Sequence, residues 1–230
     1  MGDALPSLAE GSVVTRIYCV RHGQSVANAG GLTMEHAAIP LSPLGVVQAA
    51  ALAELLDVEP SRIRTSSYVR AVETAAPLCA RWQRQAEVHP LLHEFSALDA
   101  DRLLGMTGVE RRPLADAYWV AADPEIRMGP KAETFVEFAD RVDAFQLELA
   151  QLPDRTVLVG HGIWFGLLFW RLMGFAVRNP AGMRAFRRFQ TGLQMPKCAV
   201  YELGGPNNGR WNVRPDESAM QAITKVKPVG

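Results

Sequence analysis

The chain has 230 residues, enough for one α/β domain with a sizeable core, and its 24 Lys plus Arg balance 24 Asp plus Glu. A net charge of zero excludes a global field that would draw the surface to nucleic acid or an anionic membrane, so any anion site must be a local cluster of positive groups. Cys19, Cys79 and Cys198 sit in apolar stretches without CxxC spacing, which argues against a disulfide framework or a zinc site and for buried thiols.

Residues 1–15 lack periodicity and read as a loose lead-in. They show no basic-then-apolar leader pattern, and Pro6 stands where a myristoylation signal needs Ser or Thr. Residues 17–20 have the β-branched and aromatic content of a central strand, and Gly23 permits a tight turn just after Arg21 and His22. Residues 29–40, with Gly30 and Gly31, read as a loop. Ser42 before Pro43 starts a helix, since serine caps free N–H groups and proline suits the first helical position. Leu44, Val47, Ala51, Leu52 and Leu55 continue it to about Leu56.

Residues 62–65 form a second expected strand, and Ser66 is expected to begin a helix running towards Gln83. Arg70 falls in its first turn, where the positive end of the helix dipole disfavours a cation unless an anion lies nearby. Residues 88–92 read as a strand delivering Glu94. Between 95 and 130, Gly105, Gly108, Pro113, Pro124 and Gly129 interrupt short helical pieces, the pattern of a lid or substrate-selecting insertion. Phe135, Phe138, Val142, Phe145 and Leu149 mark an amphipathic helix whose stripe is core.

Residues 156–159 form a continuously apolar strand suited to a sheet centre. His161 lies between it and a helix expected to reach Met173 and stop at Gly174. Its apolar run, 163–170, is too short to span a bilayer, so a soluble, cytoplasmic protein is expected. Residues 175–195 are Arg-rich and ambiguous, 198–203 and 211–213 read as a closing strand pair, and a loose tail is expected from about 214.

Arg21-His22-Gly23 at the end of the first strand, with Asn28 following, resembles the signature of the histidine phosphatase superfamily, the phosphoglycerate-mutase-like enzymes. The other parts of that pattern occur in the family's order: residues 41–49, then 66–75 with Arg70 and Thr74, then Leu92-His93-Glu94, then Gly160-His161-Gly162. The resemblance covers most of residues 16–203. It implies a single domain over 1–230, built as a three-layer α/β/α sandwich with a mostly parallel central sheet. The ligand crevice is expected beyond the strand ends that carry His22 and His161.

It also implies a metal-free phosphomonoesterase with no cofactor. His22 would attack phosphorus in line and become a phosphohistidine, while Arg21, Arg70 and His161 hold phosphoryl oxygens. Asn28 and the Gly162 N–H would add neutral donors. Glu94 would protonate the leaving oxygen and then activate water, a role favoured by partial desolvation. Arginine suits the oxyanion role because its planar fork meets two oxygens at once, and His161 would work best there as a cation. His36, His89 and His93 have no matched role.

Several residues depart from the family's mutases. Residues 95–99 replace an Arg-rich, Tyr-Gly stretch after the catalytic glutamate, Lys197 stands where many relatives carry Asn, and Thr134 replaces a frequent Ser. Arg111 and Arg112 either grip a second acidic group or form a solvated face. The expected partner is a small phosphorylated substrate, with no nucleic acid or membrane involved and homo-oligomerisation left open. The alternatives are a phosphomutase and a catalytically idle module that binds a phosphorylated ligand.

Overall fold

Strand β1 (Thr15–Arg21) forms where β-branched and aromatic residues cluster, and its neighbours set the architecture. The computed structural model describes residues 15–193, 195–207 and 209–227; the expected lead-in, apart from Thr15, lies outside them. Along the chain follow α1 (Pro43–Leu55), β2 (Arg62–Thr65), α2 (Val69–Trp82), β3 (Ala86–Val88), α3 (Ala100–Leu103), α4 (Gly108–Ala121) and α5 (Phe135–Glu148). Then come β4 (Thr156–Gly160), α6 (Gly162–Leu172), α7 (Pro180–Gly192), β5 (Val200–Asn207), β6 (Arg210–Pro215) and α8 (Glu217–Thr224).

The sheet order is β3-β2-β4-β1-β5-β6. β1, β2, β3 and β4 pair in parallel, and β5 and β6 add antiparallel at one edge. Helices cover both faces, giving the mixed α/β fold that the sequence led one to expect. The two central strands show why their sequence is continuously apolar. Ile17, Cys19 and Leu158 enter one core with α5 and α6, while Tyr18, Val20, Val157 and Val159 enter the other with α1 and α2. Phe135, Phe138, Phe145, Trp164 and Phe165 are fully buried in the first core. Each such side chain contributes roughly 1.5–3 kcal/mol by leaving water.

α1 starts as its sequence dictates, with the Ser42 side chain accepting from Gly45 N at 3.1 Å and Pro43 at the first position. α5 starts with a reciprocal cap between Thr134 and Glu137, so the Thr134 departure keeps the capping function.

Four elements differ from expectation. β3 ends at Val88, because Pro90 has no N–H for the ladder and residues Pro90–Leu92 instead make a 3-10 turn. α2 begins three residues after Ser66, whose hydroxyl accepts from Tyr68 N at 3.2 Å and faces His161 instead of capping a helix. α4 runs through Pro113 for 14 residues. An interior proline costs about 3 kcal/mol, offset here by the Thr107–Glu110 capping box and by burial of Tyr118 and Trp119. Finally, the expected loose tail is a docked helix: Asp216 caps α8 through Ala219 N at 3.0 Å, and Ala219 and Ile223 are buried in the second core. Residues 175–195, ambiguous in sequence, carry α7, capped by Asn179 and anchored by Met183 and Phe186.

No helix among the described residues is long and apolar enough to cross a membrane.

Candidate active site

The parallel strands β1 and β4 pair Arg21 with Gly160, so both chains leave the sheet at the same end and bring His22 and His161 together. Their ring centroids are 5.2 Å apart. The turn after β1 is pinned from three sides. His22 N donates to Gly160 O at 2.9 Å, Gly23 N donates to Thr74 Oγ1 at 3.0 Å, and Gln24 N donates to Gln48 Oε1 at 2.9 Å. Gly23 is required by close approach, since a Cβ there would lie 2.8 Å from Gly45 O.

His22 is buried, with Nδ1 2.6 Å from Gly23 O. That contact assigns the proton to Nδ1 and leaves Nε2 unprotonated, accepting at 3.3 Å from Arg70 Nε. Burial, then Arg70, Lys197 and Arg21, push the His22 pKa well below its ordinary value, which keeps the ring neutral.

Arg70 is held by its Nη1 donating to His36 O at 2.7 Å and by the Tyr68 ring, whose centroid is 4.8 Å from the guanidinium carbon. Arg21 donates to Met195 O, while its Nε is buried without a hydrogen-bond partner among the described residues. Gly162 packs against this guanidinium; a Cβ would lie 3.1 Å from Arg21 Nε.

His161 is fully buried, its Nε2 2.8 Å from Ser66 Oγ and its Nδ1 without a partner among the described residues. His161 was expected to act as a cation beside a phosphate, and no phosphate is present here. Burial, followed by Arg70, His22 and Arg21, drives its pKa well below the ordinary value, so this ring too is neutral.

Glu94 is half-buried and seated on the start of α6. Oε1 accepts from Phe95 N and Trp164 N at 3.0 Å each, and Oε2 accepts from Ile163 N at 3.1 Å. Arg141 fixes the approach to it, donating through Nη1 to Leu91 O at 2.8 Å and His93 O at 2.7 Å. The same guanidinium forks onto both Glu133 oxygens at 2.8–2.9 Å.

These groups open on a cavity of about 400 Å³ lined by Arg21, His22, Asn28, Arg70, Glu94 and Gly162. Six of the seven residues expected at the site therefore line one cavity, with His161 buried against His22. Sequence reading left other residues of the cavity out or undecided. His36, Gln190 and Met195 line it, and so does Arg111, whereas Arg112 is exposed. His36 is neutral, lowered to about 4 by burial and by Arg70 and Arg111. Lys197 is lowered to about 7 by burial, Arg21 and Arg70. Arg141 could have been found as a lone cation on the apolar stripe of α5. His89, by contrast, pairs with Glu148 at 3.2 Å on another part of the surface.

Among the described residues no group of three or more His, Cys, Asp or Glu side chains is placed to hold a metal ion. The cavity is a basic pocket into which the unprotonated His22 Nε2 faces beside Arg70.

A sequence model described as the histidine phosphatase superfamily (branch 1) matches residues 17–213. A glucosyl-3-phosphoglycerate phosphatase of Mycolicibacterium vanbaalenii is 33% identical over 177 residues, covering 72% of this chain and 77% of that protein. A metal-independent phosphoserine phosphatase of Arabidopsis thaliana is 30% identical over 156 residues, 66% of each chain. The solved structure of a mycobacterial glucosyl-3-phosphoglycerate phosphatase superposes with a TM-score of 0.66 at 26% identity, covering 87% of this chain and 97% of that one.

Proposed function

Because the chain belongs to the histidine phosphatase superfamily, we propose that it is a metal-independent phosphomonoesterase working through a phosphohistidine on His22. The observation that carries this reading is the state of His22: neutral, Nδ1–H on Gly23 O, and Nε2 directed to Arg70 in the basic cavity. Nε2 attacks phosphorus as the ester P–O bond breaks, and the phosphoryl group passes to nitrogen. Arg21 and Arg70 meet the phosphoryl oxygens, and Asn28 and the Gly162 N–H add neutral donors. His161 completes the set, and the dianion's charge raises its affinity for a proton from the low value of the empty pocket.

Glu94 supplies the proton. In the first half-reaction its carboxylic acid protonates the departing alkoxide; in the second its carboxylate takes a proton from water as the oxygen attacks the phosphohistidine. Its seat on three backbone N–H groups fixes the carboxyl in place through both steps. Mutase chemistry would need the alcohol product to be held for phosphoryl return. Residues 95–99 lack the Arg-rich pattern for that, which favours water as acceptor.

A relative named as a metal-independent phosphoserine phosphatase and another named as a glucosyl-3-phosphoglycerate phosphatase support a small phosphorylated metabolite as substrate. The single-domain reading and the substrate-selecting role of residues 95–130 belong to the same proposal, since Phe95 and Arg111 reach the cavity. The test is phosphate release from a panel of phosphomonoesters in excess chelator. Release unaffected by chelation is expected; loss on chelation, restored by a divalent cation, would contradict metal independence.

A further inference from the structure

Lys197 differs from the other lysines of the molecule. Lys131 is exposed and answered by Asp101, and Lys225 and Lys227 are exposed. Lys197 is half-buried, and among the described residues its ammonium has no hydrogen-bond or ion-pair partner. A cation drawn out of water without a partner is unfavourable, and an anion arriving beside it would remove that cost.

The backbone fixes where this lysine stands. Ala199 N donates to Pro196 O at 3.0 Å, closing a four-residue turn with Lys197 and Cys198 at its centre. Cys198 has a φ of 56°, a left-handed conformation that residues other than glycine rarely adopt and that persists where the surroundings hold it. Here the turn is tied to the end of β1. Cys198 N donates to His22 O at 3.4 Å, Arg21 N donates to Ala199 O at 3.0 Å, and the Arg21 guanidinium donates to Met195 O. Lys197 is thereby held against the strand end that carries Arg21 and His22, in a segment that reaches the cavity through Met195.

The ionisable groups facing Lys197 are Arg21 and His22 at the end of β1, Arg70 on α2, Glu94 after β3 and Cys198 in its own turn. Glu94 is the carboxylate among them, and its oxygens are engaged by the N–H groups of Phe95, Ile163 and Trp164. Burial, Arg21 and Arg70 together outweigh it and lower Lys197 to about 7. A dianion placed among these cations reverses the balance and favours the ammonium form.

We propose that Lys197 is a further cation of the phosphoryl site, donating to an oxygen of the bound group alongside Arg21 and Arg70. This deepens the phosphomonoesterase reading and rests on it for the identity of the bound group.

The test measures the Kd of tungstate, a phosphate mimic that stays a dianion between pH 6.5 and 9, for the wild-type chain, Lys197→Met and Lys197→Arg. At pH 6.5 the Met variant should bind roughly tenfold or more weakly than wild type, the worth of one charge-assisted hydrogen bond. Above about 7 the wild-type lysine must take up a proton to bind, so its advantage should shrink towards none at pH 9. His22 and His161 are neutral in the empty pocket across this range and are common to all three proteins, so their effect cancels in the ratio. Lys197→Arg, charged throughout, should keep an advantage over Met that does not change with pH. Equal affinities at pH 6.5, a loss in the Met variant that is the same at every pH, or no binding by wild type would each overturn the proposal. Phosphate release from phosphomonoesters is assayed in parallel. Tungstate binding with the predicted pH dependence but no release from any phosphomonoester would leave Lys197 as an anion contact and remove the phosphomonoesterase reading alone.

Discussion

The two walls of the cavity are built differently. The inner wall, carrying His22 and Arg70 with His161 behind, hangs on the ends of buried parallel strands and on α2, and its groups are tied to backbone by short hydrogen bonds. The outer wall is drawn from α4, α7 and the segment after α7, through Arg111, Gln190 and Met195, and leaves Arg111 unpartnered among the described residues. Chemistry placed on strand ends is fixed by the register of the sheet, which a one-residue slip would destroy. Selection placed on helices outside the sheet can change without disturbing that register.

Removing the proposed nucleophile should have the largest effect. His22→Ala is expected to lower phosphate release by about three orders of magnitude or more, because the proposed reaction passes the phosphoryl group through His22 Nε2. Steady-state release assays read this directly, and near-normal turnover would move the reaction away from the inner wall.

Glu94→Ala should sharpen the division of labour. Alkyl phosphates, whose alkoxides need a proton, are expected to slow by about 10²–10⁴-fold. p-Nitrophenyl phosphate, whose leaving group departs as an anion, should slow far less. Equal losses on both substrates would assign Glu94 to structure rather than proton transfer.

Arg141→Met breaks the clamp behind Glu94 and leaves Glu133 without its partner. A loss of about 3–5 kcal/mol in unfolding free energy is expected, measured by denaturant titration. Turnover of alkyl phosphates should fall in the surviving folded protein more than turnover of p-nitrophenyl phosphate.

The pH dependence of stability is the smallest effect. His22 and His161 are held neutral in the folded chain, with pKa values well below the 6.5 of the unfolded chain. The unfolded state therefore binds more protons below 6.5, and stability is lost as pH falls under that value. Lys197, lowered to about 7 from an ordinary 10.5, acts in the same direction: its contribution improves as pH rises from 7 towards 10.5. Thermal midpoints should therefore rise with pH across both windows. Saturating vanadate should weaken the acid-side dependence by favouring charged groups around it; no change with vanadate would detach these groups from the anion site.

The inner wall was legible in sequence because each part carries its own local signal. A β-branched run ends at Arg21, Ser42 and Pro43 announce α1, and an apolar run ends at Gly160 before His161. The outer wall was not legible in the same way. Pro113 reads as a break, yet α4 continues through it because Tyr118 and Trp119 are buried against the core, a tertiary effect that no local propensity reports. α7 hides because only Met183 and Phe186 of its residues are buried. The tail from 214 reads as loose because α8 has two buried anchors, Ala219 and Ile223, and a single Asp216 cap. The low pKa of His161 in the ligand-free chain was not legible in sequence, because it depends on burial and on groups distant in sequence: Arg70, His22 and Arg21.

The most direct test of the central claim is to mix enzyme with a labelled phosphomonoester, quench in alkali within the first turnover and map the labelled peptide by mass spectrometry. The account predicts a phosphoryl group on the peptide containing His22, stable in alkali, lost in acid and absent from His22→Ala. A label on another residue, or undiminished turnover by His22→Ala without any phosphoenzyme, would contradict it.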